Sequence, residues 1–131
     1  MKYMMMVKGD KNYENGAPPD PRLMMAIGKH SEEMIKAGVL LETGGLLPSS
    51  QGARVRAARG RLTVSDGPFV ESKELIGGFA ILQANSKEEA IKLGSDFMKI
   101  HVDVLGPAYE GELEIRQMAD GCGCPDEPAK C

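Results

Sequence analysis

The chain has two histidines, His30 and His101, and each falls in the apolar stripe of a segment with helical periodicity. Imidazole titrates near neutral pH, so two of them facing one pocket form a candidate general base or ligand pair. Two core histidines, each satisfied by a hydrogen bond, account for the same pattern. No cysteine or serine nucleophile stands in a recognisable motif near them. The third candidate is Asp66, within "SDGPFVESKELIGGFAILQ", residues 65–83. On a structural reading, Asp66 bonds the amides beyond it as an Asx-type turn and Gly67 tolerates unusual dihedrals. Pro68 then sets the exit direction, and Phe69 anchors the corner in the core or across a dimer. On a chemical reading, Asp66 stands with Glu71 and Lys73 at the rim of a cleft, where a buried carboxylate takes protons or binds a cation.

Four arginines, Arg54, Arg56, Arg59 and Arg61, lie close together. On a hairpin, Arg54 and Arg56 share a face by strand alternation, and such a patch can hold a carboxylate or phosphate in bidentate fashion. Charges on an exposed hairpin also guard its edge against aggregation. Without interleaved aromatics, and with a net charge of -3, nothing points to direct nucleic-acid binding. The three cysteines, Cys122, Cys124 and Cys131, all sit in the tail "DGCGCPDEPAKC". That segment lacks apolar periodicity and contains two prolines, so residues 119–131 are expected to form a flexible tail dispensable for the fold. A C-x-C pair is not a metal-ligand set, because a tetrahedral zinc site would need a histidine or a second chain to complete it. No metal and no cofactor is expected.

These candidates need elements to hold them. The 131 residues suffice for one domain with a real core, and 42% hydrophobic with 27% charged residues is ordinary for a soluble globular protein. There is no Trp, but there are nine Met, so thioethers and aliphatics must fill much of the interior. The apolar run near the start is too short for a signal peptide or a membrane span, which makes the cytoplasm the expected compartment. Lys2 to Lys8 reads as a strand that is apolar on both faces, followed by a loop from Gly9 to Pro19. Asp20 caps a helix that opens on Pro21 and stops at Gly38, with Leu23, Ile27, His30 and Met34 on its inner stripe. Val39 to Leu47 resumes as a strand. Ala53 to Ala58 and Arg61 to Ser65 then flank the tight-turn signal Arg59-Gly60. Gly78 to Gln83 is a further two-faced apolar strand. Ser86 and Glu89 launch a second helix whose stripe is Ala90, Gly94, Phe97, His101 and Leu105, and Glu112 to Met118 closes the domain.

The order predicts an α+β fold, a ferredoxin-like βαββαβ sandwich over residues 1–118 with an inserted β-hairpin. Two helices cover only one face of such a sheet, and the first and third core strands are apolar on both. A second copy of the sheet is the simplest cover, so a homodimer is expected.

The stretches "AGVLLETGGLLPSSQGARVR", residues 37–56, and "TVSDGPFVESKELIGGFAILQANSKEEAI", residues 63–91, resemble the DGPF branch of the YCII-related family. The opening "MKYMMMVKGD" and the closing "EGELEIRQM" are similar to it as well. The resemblance implies a dimeric α+β barrel. It also implies a partner linked to extracytoplasmic-function sigma factors, beside which such members are often encoded. Some YCII relatives look like enzymes with a His-Asp pair. Here His30 does not sit at the family position counted back from the helix-ending glycine, and Asp96 matches the acid only loosely. The expected function is therefore a small dimeric binding or accessory protein, holding a small anionic molecule or engaging a protein partner in transcriptional control. The alternative is a cofactor-independent enzyme of proton-transfer or lyase type, using His30 or His101 with Asp66.

Overall fold

The computed structural model describes residues 1–71 and 74–119. Six strands and three helices follow in the order β1 (Lys2–Lys8), α1 (Lys11–Glu14), α2 (Pro21–Lys36), β2 (Leu40–Gly45), β3 (Ala53–Ala58), β4 (Arg61–Asp66), β5 (Ile76–Gln83), α3 (Lys87–Leu105) and β6 (Leu113–Gln117). A 3-10 turn, Ser49–Gln51, sits between β2 and β3. The main sheet has the order β2-β5-β1-β6 and is antiparallel throughout. This is the split βαβ arrangement expected of a ferredoxin-like chain, since each helix crosses over one intervening strand. The inserted hairpin β3–β4 forms a separate two-stranded sheet.

Local chemistry accounts for most boundaries. Asp20 caps α2 by accepting from the Arg22 amide at 2.8 Å, with Pro21 at the first helical position. Ser86 caps α3 by accepting from the Glu89 amide at 3.1 Å. The reciprocal arm of that box reaches the Asn85 amide. Gly9 to Pro19 is not wholly loop, because Asp10 accepts from the Tyr13 amide at 2.7 Å and nucleates the short helix α1. The hairpin turn places Arg59 and Gly60 at φ 53° and 77°, the paired left-handed conformations of a type I′ turn.

The core lies between one face of the main sheet and the two long helices. Tyr3, Met5, Leu40, Ala80 and Leu82 are buried there with Ala84 and Ala90, and Met34, Leu93, Phe97, Leu113 and Ile115 pack against them. Helix α3 sits close to the sheet because Gly94 has no side chain. A Cβ there would approach Ile115 Cδ1 to 2.8 Å and Leu113 Cδ2 to 3.1 Å. Helix α2 is less deeply seated, since only Leu23 is buried while Met24, Met25 and Ile35 are exposed. On the opposite face of the sheet, the register sets Met6 beside Phe79 and Met4 beside Ile81, with Glu114 and Arg116 along the β6 edge. The Phe79 ring lies over Gly44, where a Cβ would come within 3.0 Å of it. No helix of the described residues covers this side, and none is long and apolar enough to cross a membrane.

Candidate functional site

The shallow seating of α2 opens a cleft between the helices and the sheet. One part, about 300 Å³, is lined by Met5, Ile27, Met34, Leu40, Leu82 and Leu93 among other apolar groups, with His30 from α2 at its wall. A second part, about 410 Å³, is lined by His101, Tyr109, Asp10 and Asp20 among other groups. Val7, Met24, Ile27 and Phe97 line both, so the two parts adjoin. Both parts are mostly apolar, and the second gathers more of the polar side chains. That is the composition of a small-molecule site, in which apolar walls supply burial and a few polar groups orient the ligand.

His101 is the most enclosed polar group of the cleft, at 6% exposure. Its Nδ1 lies 3.1 Å from the Phe97 carbonyl oxygen. A carbonyl only accepts, so Nδ1 carries the proton and Nε2 of the neutral ring is left as an acceptor. Nε2 has no hydrogen-bond partner among the described residues, where no sealed side-chain nitrogen or oxygen lacks one. It therefore opens onto the cleft. The ring is gripped by aromatics, edge-on to Phe97 at 4.9 Å and stacked on Tyr109 at 5.3 Å between centroids. Burial, and then the negative charge of Asp10, raise the Tyr109 phenol above the usual tyrosine range, so it stays protonated at neutral pH. Asp20 is held below the ordinary carboxylate range, chiefly by its hydrogen bond to the Arg22 side chain.

The structure distributes the other candidates differently. His30 is half-buried and lines the first part, so the two histidines line adjoining parts of the cleft. Asp66 ends β4, is exposed, and lines neither part. Its carboxylate accepts no hydrogen bond among the described residues, so the Asx-type turn does not form with them. Ser49 holds the corner instead. Its hydroxyl accepts from the Phe69 amide at 3.0 Å and donates to a Glu14 carboxylate oxygen at 2.5 Å. Gly67 is needed for steric reasons, because a Cβ there would overlap the Ser49 carbonyl oxygen. Phe69 is half-buried under the Arg54 guanidinium, 3.9 Å above its ring, rather than anchored among the core clusters.

Arg54 and Arg56 do share a hairpin face, opposite Ser65 and Thr63. Together with Arg59 and Arg61 they are exposed and line neither part of the cleft. Glu71 is exposed too, while Lys73 and the three tail cysteines lie outside the described residues. Asp96 faces solvent in a 3.2 Å pair with Lys92 one helical turn away. No group of three His, Cys, Asp or Glu side chains among the described residues is placed to hold a metal ion. Sequence reasoning missed Tyr109 and Asp10, both of which sit outside the long elements. The available signals were the chain reversal at Gly106-Pro107 ahead of Tyr109 and the aspartate opening a polar loop.

Fold and cleft together define a small α+β protein with a ligand-sized, largely apolar site. A family model of the YCII-related domain matches residues 1–97, and the chain belongs to the YCII-related family. It is also similar to an uncharacterized protein of Rhizobium meliloti (strain 1021), 29% identical over 100 residues and covering 76% of each chain.

Proposed function

We propose that this YCII-related protein is a homodimeric small-molecule-binding protein whose ligand occupies the cleft between α2, α3 and the sheet. The observation that carries this reading is the cleft itself, two adjoining parts that are apolar along most of their wall, with His101 the most enclosed polar group. The dimer is supported by the uncovered apolar centre of the sheet, Met4, Met6, Phe79 and Ile81. The resemblance to the DGPF branch extends the reading to an accessory role beside an extracytoplasmic-function sigma factor. N-phenyl-1-naphthylamine, a neutral apolar fluorophore, tests the cleft. It is expected to bind saturably at one site per chain, and Ile27→Trp, which fills the shared wall, is expected to abolish binding without changing the circular dichroism. Non-saturable binding, or equal binding to the variant, would overturn the reading.

A second reading, proton-transfer chemistry without a cofactor, is favoured by one observation. His101 has its tautomer set by Phe97 and leaves Nε2 free beside a protonated phenol in a cleft. His101→Gln would then remove turnover of a substrate while leaving the circular dichroism intact.

A further inference from the structure

The polar end of the cleft selects the head group of its ligand, an inference that rests on the cleft being a binding site. The groups there are unequal in what they offer. His101 presents a lone pair at Nε2 and, in the tautomer set by Phe97, no proton. Asp20 is paired with Arg22 at 3.0 Å, which leaves it partly neutralised, and the Lys8 ammonium pairs with Glu114 at 3.4 Å on the side of the sheet away from the cleft. Asp10 spends one carboxylate oxygen on the Tyr13 amide and has no cationic side chain within ion-pair distance among the described residues. Its charge is felt at Tyr109, whose phenol it helps to keep protonated. The polar end thus offers a buried acceptor, a phenol and an anionic mouth. The arginines that would attract an anion line neither part of the cleft.

We propose that the cleft binds an amphiphile with a hydrogen-bond-donating head, an amine or an alcohol, which donates to His101 Nε2 while its aliphatic chain lies along Ile27, Met34, Leu40 and Leu82. A cavity of about 150 Å³ holds the six carbons of benzene, roughly 25 Å³ per heavy atom. On that scale the 300 Å³ apolar part takes an aliphatic chain of about a dozen heavy atoms at most. A carboxylate head is disfavoured, because it brings no proton for Nε2 and meets the charge of Asp10.

The test is displacement of N-phenyl-1-naphthylamine from the full chain at neutral pH by octylamine, 1-octanol and octanoate, three ligands of matched length. Octylamine and 1-octanol are expected to displace the fluorophore, with octanoate at least about tenfold weaker, as loss of one buried hydrogen bond and adverse charge imply. His101→Phe should bring the three together once each is corrected for the fluorophore's own affinity for that variant. Asp10→Asn keeps the bond to the Tyr13 amide and should weaken octylamine alone, by about threefold. Octanoate binding as well as or better than the others would overturn the proposal, as would failure of all three while the fluorophore binds. Ranking the heads on the unmodified chain decides this even if the His101 variant does not fold. If the fluorophore itself does not bind saturably, the cleft reading fails, and this proposal falls with it.

Discussion

The main sheet and the hairpin β3–β4 are built on the same alternation, but they end in opposite environments. In the main sheet, Tyr3, Met5 and Leu82 are 3–5% exposed beneath the two helices. In the hairpin, Val55 stands opposite Val64 and Ala57 opposite Leu62, which makes one continuous apolar face. Its Val55, Leu62 and Val64 are nevertheless 67%, 74% and 69% exposed. Alternation decides which residues share a face, and only a covering element decides whether that face is buried. The difference implies two sources of stability. The sheet is held by burial, while the hairpin relies on its type I′ turn, its cross-strand pairs and its tether at Ser49, since an isolated two-stranded hairpin is marginal in water.

The largest contrast should come from placing the same charge in both regions. Met5→Asp buries an unpaired carboxylate and is expected to cost several kcal/mol in chemical denaturation. Val64→Asp should stay within about 0.5 kcal/mol, as for other surface positions. The pair also probes assembly. If a partner copy covers the hairpin, Val64→Asp lowers the mass seen by light scattering from twice 14.1 kDa towards the single chain without unfolding it. Equal losses from the two substitutions would remove the contrast.

An intermediate effect is expected at the join between the regions. Ser49→Ala leaves the Phe69 amide without its partner and removes one bond to the Glu14 carboxylate, which keeps the Ser49 amide, a loss of about 1–3 kcal/mol. Hydrogen exchange should show that loss first in the hairpin, with the β1–β5 pairing still protected. The cleft side of the sheet also carries a pH signature. The folded-state phenol of Tyr109 titrates above its unfolded value of about 10, so folding favours the protonated form. Its contribution is complete below that pH and is lost as pH rises through the raised value. Tyr109→Phe should flatten this alkaline limb in thermal melts. The smallest effect belongs to the hairpin's end. Asp66→Ala and Asp66→Asn should both lie within about 0.5 kcal/mol of the parent, because the exposed carboxylate makes no bond among the described residues. A cap-sized loss of about 0.5–2 kcal/mol for Ala alone would restore the Asx-turn reading.

Much of the fold was legible because its signals are local. Asp20-Pro21 and Ser86 start helices through bonds to amides two or three residues away, and Arg59-Gly60 turns the hairpin through its own dihedrals. The stripes on α2 and α3 follow from helical period alone, and with them the placement of His30 and His101 on the sheet side. Local chemistry misled at the DGPF corner. An aspartate before Gly-Pro ordinarily bonds its own turn, but Ser49, 20 residues before Phe69, fills that role.

The order of elements, their caps, the helix stripes and the family resemblance could all be read along the chain, because each depends on residues within a turn or two of one another. Long-range packing set α2 high enough to leave a cleft and brought Tyr109 and Asp10 to His101 in it. It also decided that the arginines would stay out of the cleft. Those outcomes depend on how helices of unequal burial settle on a sheet and where the loops beyond them return. Both are set by contacts between residues far apart in the chain, which no local period encodes.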